Sequence, residues 1–306
     1  MEKLSRDQFA KARDFILCNA RMIERRLFDY HFQDGDKQGV YHAVFAYRNA
    51  DGGFGHGLEP DTASPESQPL FGIMALEYLD ESGCLTNELL AKEFMPYFER
   101  VTEDDGGVPW MLNPSRAYPR AEHFETLRIR GALSTTAPLL GLLEKYGVDS
   151  TWKKKAEEFI WRDLARLGKK HAFCFLCIPR RMIFLDHCSD RERAQKAIAD
   201  LQTWIREEGV LCNDPSDTNW GLYGSPNSLS YVRTPHETLR SAFTQEELDR
   251  DLDETIRRQH ADGRWSNPYG LTEGMKLEWD GIQTLKTLQT LKAYGRIESD
   301  NCEPDY

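Results

Sequence analysis

Gln259-His260-Ala261-Asp262-Gly263-Arg264-Trp265 repeats the earlier stretch Arg48-Asn49-Ala50-Asp51-Gly52-Gly53-Phe54, with Gln for Arg and Trp for Phe, and Asp105-Gly106-Gly107-Val108-Pro109-Trp110 is a weaker third copy. A helix that ends in a polar residue, turns through Asp-Gly, drops an aromatic into a groove and starts a second helix is a unit that cannot bury its apolar face alone. Such units stack and share a core. Asp51 and Asp262 stand four periods of about 53 residues apart, and 306 residues leave room for about six units. The same period expects a turn near residue 209, where Glu208-Gly209-Val210-Leu211 reads as a helix stop. It also expects one near residue 157, yet Ala156-Glu157-Glu158-Phe159 reads as mid-helix, so the third unit is displaced or degenerate and its nearest break is Gly168.

Almost every long periodic segment has helical spacing. Apolar residues at Phe9, Ala12, Phe15, Ile16, Ala20 and Ile23 form one face and predict a helix from Phe9 to Phe28. Further helices are expected at about 39–49, 68–81, 87–100, 126–146, 150–167, 190–208, 245–260 and 279–294, while 172–187 and 222–242 stay open. No alternating strand pattern is sustained, and Phe173 to Ile178 is the best strand candidate. Short links such as Asp80-Glu81-Ser82-Gly83 contrast with four long connections rich in Gly, Pro and aromatics: 50–67, 103–124, 209–227 and 262–278. If inner and outer helices alternate around a ring, the long connections all open on one rim, and a site would lie there.

Hydrophobic residues at 40% and aromatics at 11% supply a large core, which fits a soluble globular protein. A net charge of −11 disfavours nucleic acid or an anionic membrane as the main partner. Met1 to Phe9 has no apolar core of signal-peptide length, and no run approaches the roughly 18 apolar residues of a membrane span, so a cytoplasmic protein is expected. Seven cysteines, an odd number without framework spacing, point to reduced thiols.

With Gln259, Gly263 and Trp265, the variant copy Arg48, Gly52 and Phe54, and helical spacing over most of residues 5–296, the chain resembles the terpenoid cyclase and protein prenyltransferase superfamily. Its members are α/α toroids carrying repeated Gln/Gly/Trp motifs. The resemblance implies an all-α chain, an α/α toroid of about five to six helical hairpins spanning 1–306, with a disordered tail at about 297–306. Two signatures of the superfamily are missing: the Asp-x-Asp-Asp acid of alkene-protonating cyclases, and an Asp-x-Cys with distant His that would match the prenyltransferase zinc site. The chemistry must therefore be read from the rim connections.

The densest of them, His56 to Pro69, holds His56, Glu59, Asp61 and Glu66. A carboxylic acid in an apolar cavity has a raised pKa and would deliver a proton, with Glu59 or Asp61 as that acid. Alternatively Asp61 and Glu66 cap the next helix. Pro60, Pro65 and Pro69 stiffen the loop either way. Glu278 and Asp280 in Leu277-Glu278-Trp279-Asp280, expected at the start of the last helix, either complement its dipole or face the 56–66 loop as acid and base partners. The connection Asn213 to Gly221 brings Asp217 and Trp220, followed by Tyr223, Tyr231 and His236. Trp110, Trp220, Tyr223 and Trp279 would stabilise a cation or stack on a substrate, or else pack the core, while Asp214 and Asp217 also fit an Asx turn. Packing is favoured for Phe54 and Trp265, because the repeat demands an aromatic there.

His171, Cys174 and Cys177, with His187 and Cys188 after them, outline a zinc site, but cysteines among Phe173, Phe175, Leu176 and Ile178 read better as small buried hydrophobes. No cofactor is expected, and magnesium is not indicated. Arg128, Arg130 and Arg233 would hold an anionic headgroup or serve as surface ion pairs. The leading expectation is an isoprenoid-binding, terpene cyclase-like enzyme acting on a small hydrophobic substrate in an apolar and aromatic cavity, with proton-initiated cyclisation from a rim acid. The alternatives are a carbohydrate-acting hydrolase or lyase with a Glu/Asp pair, and a non-catalytic binding scaffold. The lining discriminates: apolar inner helices (Phe71, Ile73, Met74, Ile129, Leu133, Leu139) favour an isoprenoid, and a polar groove favours sugar.

Overall fold

The computed structural model describes residues 1–124, 130–167, 177–207, 209–222, 225–267 and 269–298. These residues are all-helical, with no strand and only isolated β-bridges. The helices are α1 (Arg6–Asn19), α2 (Met22–Phe32), α3 (Lys37–Phe45), α4 (Pro69–Glu81), α5 (Asn87–Leu89), α6 (Met95–Val101), α7 (Leu133–Lys145), α8 (Trp152–Leu167), α9 (Cys177–His187), α10 (Arg191–Ile205), α11 (Gln245–Arg257) and α12 (Glu273–Ala293). A π-helical segment, Leu90–Phe94, joins α5 to α6.

Local chemistry sets these boundaries. Capping boxes at Ser5/Gln8 and Thr244/Glu247 start α1 and α11 by satisfying backbone N–H groups that have no intrahelical acceptor. The helix expected from Phe9 to Phe28 is two helices, because Ala20 and Arg21 are extended and turn the Arg21 side chain inward. The helix expected from 126 starts at Leu133, since Ala132 is extended and its N–H donates to the Val108 carbonyl. The last helix begins at Glu273, capped by Thr272, so Glu278 and Asp280 lie inside it rather than at its start. Within segment 222–242 the described residues form two short 3₁₀ turns, Ser228–Ser230 and Thr238–Ala242, and the buried Asp251 carboxylate accepts from the Ser228 N–H and hydroxyl. Cys177 and Ile178 of the strand candidate lie in α9, and residues 173–176 fall outside the described residues.

The three motif copies share one turn. The N–H groups of Asn49, Glu103 and His260 donate to the carbonyls of Gly53, Gly107 and Arg264 at 2.8–2.9 Å, and their own carbonyls accept from Gly52, Gly106 and Gly263. In each copy the Asp side chain closes the turn by accepting the N–H two residues on, at 3.0, 3.1 and 3.3 Å. The central glycine has φ of +85°, +88° and +93°, a conformation that L side chains rarely adopt. Each turn abuts a helix. Arg100 of α6 donates to the Asp51 carbonyl, a Cβ on Gly106 would strike the Lys155 backbone of α8, and a Cβ on Gly263 would strike the Lys11 backbone of α1. The turn near 209 is present at Gly209, with φ +81°, whereas residue 157 lies within α8 and Gly168 falls outside the described residues.

Neighbouring helices pack in sequence, α2 on α3, α3 on α4, α4 on α7, α7 on α8 and α9, and α9 on α10, while α12 packs on both α1 and α2. Gly141 allows the α7–α9 approach and Gly281 lets α12 rest on Ala20. The Leu4 N–H donates to Arg296 O and the Glu298 N–H to Leu4 O, so Ile297 and Glu298, expected in the tail, are paired; the remainder of the tail lies outside the described residues. A continuous buried cluster runs from Leu4 to Leu291 and includes Phe54 and Trp265, the motif aromatics. Among the described residues no helix is long and apolar enough to cross a membrane.

Candidate active site

The 56–67 loop is a rigid platform. His56 and Gly57 take positive φ (57° and 66°), which folds the chain back so that His56 N–H meets Pro65 O and Gly57 N–H meets Ser64 O. The connection from 117 to 121 pins it from the other side: Ala63 N–H donates to Pro119 O and Ala121 N–H to Asp61 O at 2.8 Å. Neither Asp61 nor Glu66 caps α4, whose N-cap is Gln68; Glu66 accepts the Tyr118 hydroxyl instead. The capping alternative is therefore replaced, and both Glu59 and Asp61 turn inward, 8% and 3% exposed.

Beneath the loop lies a buried ion pair. Arg21 Nε and Nη2 grip both oxygens of Glu24 at 2.9 and 2.6 Å, while Nη1 donates to the Leu58 carbonyl at 2.6 Å and Nη2 also reaches the Tyr78 hydroxyl. This fastens the residue next to Glu59. Burial raises the Tyr78 phenol well above its ordinary pKa, so it stays a neutral partner of the pair.

Asp61 is held by two partners. Trp279 Nε1 donates to Oδ1 at 2.8 Å, and His123 Nε2 stands 3.6 Å from Oδ2. Trp110 packs against His123 and Phe124, with ring centroids at 6.3 and 5.2 Å, and its buried Nε1–H has no acceptor among the described residues. The Glu59 side chain has no hydrogen-bond or ion-pair partner among the described residues. Burial first, and the Asp61 charge second, push its carboxyl up to about 7, against the opposing pull of Arg180, Arg21 and Lys286. A carboxyl with that proton affinity exchanges a proton readily near neutral pH.

The other candidates divide. Glu278 is half-buried and faces Arg21 and Glu24, with burial raising its pKa. Asp280 works elsewhere, accepting the Asn267 N–H at 2.8 Å and Arg264 Nε at 3.2 Å; it clamps the repeat turn and is not beside Glu59. His56 is exposed at the loop tip. Asp217 closes its own turn through Asn219 N–H and Ser225 Oγ, as the Asx reading has it. Trp220 is buried under the Arg258 guanidinium, 4.9 Å above its ring. Tyr223, Arg128, Ile129, His171 and Cys174 lie outside the described residues. Among the described residues no cluster of three or more His, Cys, Asp or Glu is placed to hold a metal ion, and Cys18, Cys84, Cys188 and Cys212 are free thiols.

Sequence reasoning passed over the basic groups beside the acid. Arg180 of α9 forks onto Glu77 of α4 at 2.6 and 2.9 Å. Lys286 of α12 is pushed down to about 8, by burial first and then by Arg233 and Arg180, with Glu77 and Glu81 acting the other way. Lys286 and Arg233 line a cavity of about 440 Å³ together with Trp220, Trp265, Asn267 and Gln283. Phe71, Ile73, Met74, Leu133 and Leu139 do not line it, being buried in the packed core. Helical spacing announces an apolar stripe, but it gives no signal for a single Lys in a polar hollow between two such stripes. In comparisons with known proteins, no family model and no curated relative matches this chain.

Proposed function

We propose that the helices close into an α/α toroid and that the chain acts on a hydroxyl-rich substrate of the carbohydrate class by acid–base chemistry, with Glu59 passing the proton. The ring is supported by the way the last motif turn buttresses α1 as the second buttresses α8. The observation that carries the activity is Glu59 itself: a buried carboxyl without a hydrogen-bond donor among the described residues, its pKa near 7, beside a carboxylate fixed by Trp279. A group left unsatisfied at such a cost in a rigid loop is suited to a proton that a ligand supplies or removes. Asp61 sets the proton affinity of Glu59, and Trp110, with its free N–H, offers a face and a donor for a sugar ring. Amide and hydroxyl side chains in the neighbouring cavity favour sugar over the isoprenoid, which calls for an apolar hollow.

The test is a panel of chromogenic glycosides and polysaccharides, assayed with the wild type and with Glu59→Gln and Asp61→Asn. Turnover of at least one glycan, lost about a hundredfold or more in Glu59→Gln, is expected. Unchanged turnover in Glu59→Gln removes the acid role. Conversion of a polyprenyl substrate with no glycan turned over returns the isoprenoid reading, and tight glycan binding with no turnover leaves a binding scaffold.

A further inference from the structure

We infer that the cavity lined by Lys286 and Arg233 is built to grip an anionic group, a carboxylate or a phosphate carried on a hydroxylated ligand, between those two cations. The inference rests on the carbohydrate reading only for the hydroxylated part. Both cations line the cavity, and neither the Lys286 ammonium nor the Arg233 guanidinium has a hydrogen-bond acceptor or ion-pair partner among the described residues. The carboxylates that could neutralise them are committed elsewhere. Glu77 is held by the Arg180 fork, Glu81 takes His31 and Gln289, and Glu237 accepts the backbone N–H groups of Arg233 and Thr234.

Desolvating a cation without a counter-charge is costly, and the protein concentrates two such groups in one hollow. Burial depresses the proton affinity of Lys286 and that of Arg233 alike, and outweighs the opposing pull of Glu237 on Arg233 and of Glu77 and Glu81 on Lys286. A further donor waits there: Trp220, 4% exposed and part of the lining, has a buried indole N–H with no acceptor among the described residues. Two point charges with an N–H match an oxyanion, which accepts several hydrogen bonds at once. The remaining lining, Asn219, Asn267, Gln283 and Thr290 beside the Trp265 ring, suits hydroxyl groups. Lys286 also lies within electrostatic reach of Glu59, so an anion held here orients the rest of the ligand with respect to the acid.

The experiment is titration calorimetry of the full chain at low salt and pH 7 with D-glucose, D-glucuronate, D-glucose 6-phosphate and inorganic phosphate. Wild type is expected to bind at least one charged sugar ten or more times tighter than glucose. Lys286→Met and Arg233→Met should each cut that affinity at least tenfold. Affinity should also fall as pH rises through about 8, where Lys286 gives up its proton. Tighter binding of glucuronate marks a carboxylate site, and tighter binding of glucose 6-phosphate a phosphate site. Phosphate alone binding as well as glucose 6-phosphate upholds the anion site while telling against the carbohydrate reading. Glucose binding as tightly as the charged sugars, no binding of any charged probe, or wild-type affinity in both variants overturns the inference. Thermal melts check that the variants fold, and the pH dependence of wild-type binding tests the same point without any substitution.

Discussion

Trp279 donates its indole N–H to Asp61 at 2.8 Å, tying the last helix to a loop 218 positions earlier. A hydrogen bond to a buried carboxylate is worth about 1.5–3 kcal/mol. Trp279→Phe keeps the ring and removes the donor, so urea unfolding should show a loss of about 2 kcal/mol. Asp61→Ala added to Trp279→Phe should cost clearly less than Asp61→Ala alone, because the two residues share one interaction. Additive costs in that double-mutant cycle would contradict the clamp.

Glu59 gives the fold a pH signature. Its carboxyl titrates near 4.5 unfolded and near 7 folded, so between those values the native state holds a proton that the unfolded chain has released. Stability contributed by this group is therefore full below about pH 4.5 and is lost as pH rises through about 7, by about 3 kcal/mol in all. Glu59→Gln, neutral throughout, should match the wild type near pH 4.5 and exceed it by up to that amount at pH 8. Denaturant unfolding at both pH values measures the gap.

Gly263 and Gly83 separate conformational strain from collision. Both have positive φ, +93° and +67°, yet a Cβ on Gly83 meets open space while one on Gly263 runs into the Lys11 backbone. Gly83→Ala should cost about 1–2 kcal/mol and Gly263→Ala about 3 kcal/mol or more. Thermal denaturation of the two variants side by side checks the order.

Glu24 is 1% exposed and neutralises Arg21. Glu24→Gln leaves a buried guanidinium without its counter-charge and should destabilise by about 3–5 kcal/mol, whereas Tyr78→Phe, which removes only a hydroxyl, should cost about 1 kcal/mol. Replacing both members, Arg21→Met with Glu24→Leu, should recover most of the loss in chemical denaturation.

The repeat and the all-helical class are readable from Asp-Gly followed by an aromatic, because that turn needs positive φ at one residue and a side-chain acceptor just before it, and few residues supply both. The 56–69 connection stands out in the sequence because Glu59, Asp61 and Glu66 crowd among three prolines, but nothing in that pattern says that Glu59 and Asp61 are buried while Glu66 is exposed. Roles inside the site are harder to see. Asp280 and Glu278 are two residues apart on α12, so one faces Arg264 and the other Arg21. Helical geometry separates their fates, and only the position of the neighbouring helices says which is which. Arg21 is equally hidden, since its importance comes from Glu24, Tyr78 and Leu58, partners that folding brings together.

The support that Gly263 gives to α1 orders events during synthesis. Lys11 and its helix find their buttress only once residue 263 and α12 have left the ribosome, some 250 residues later. Until then a growing chain carries α1 without its contacts to the Gly263 turn and to α12, so this part of the core is completed late in synthesis.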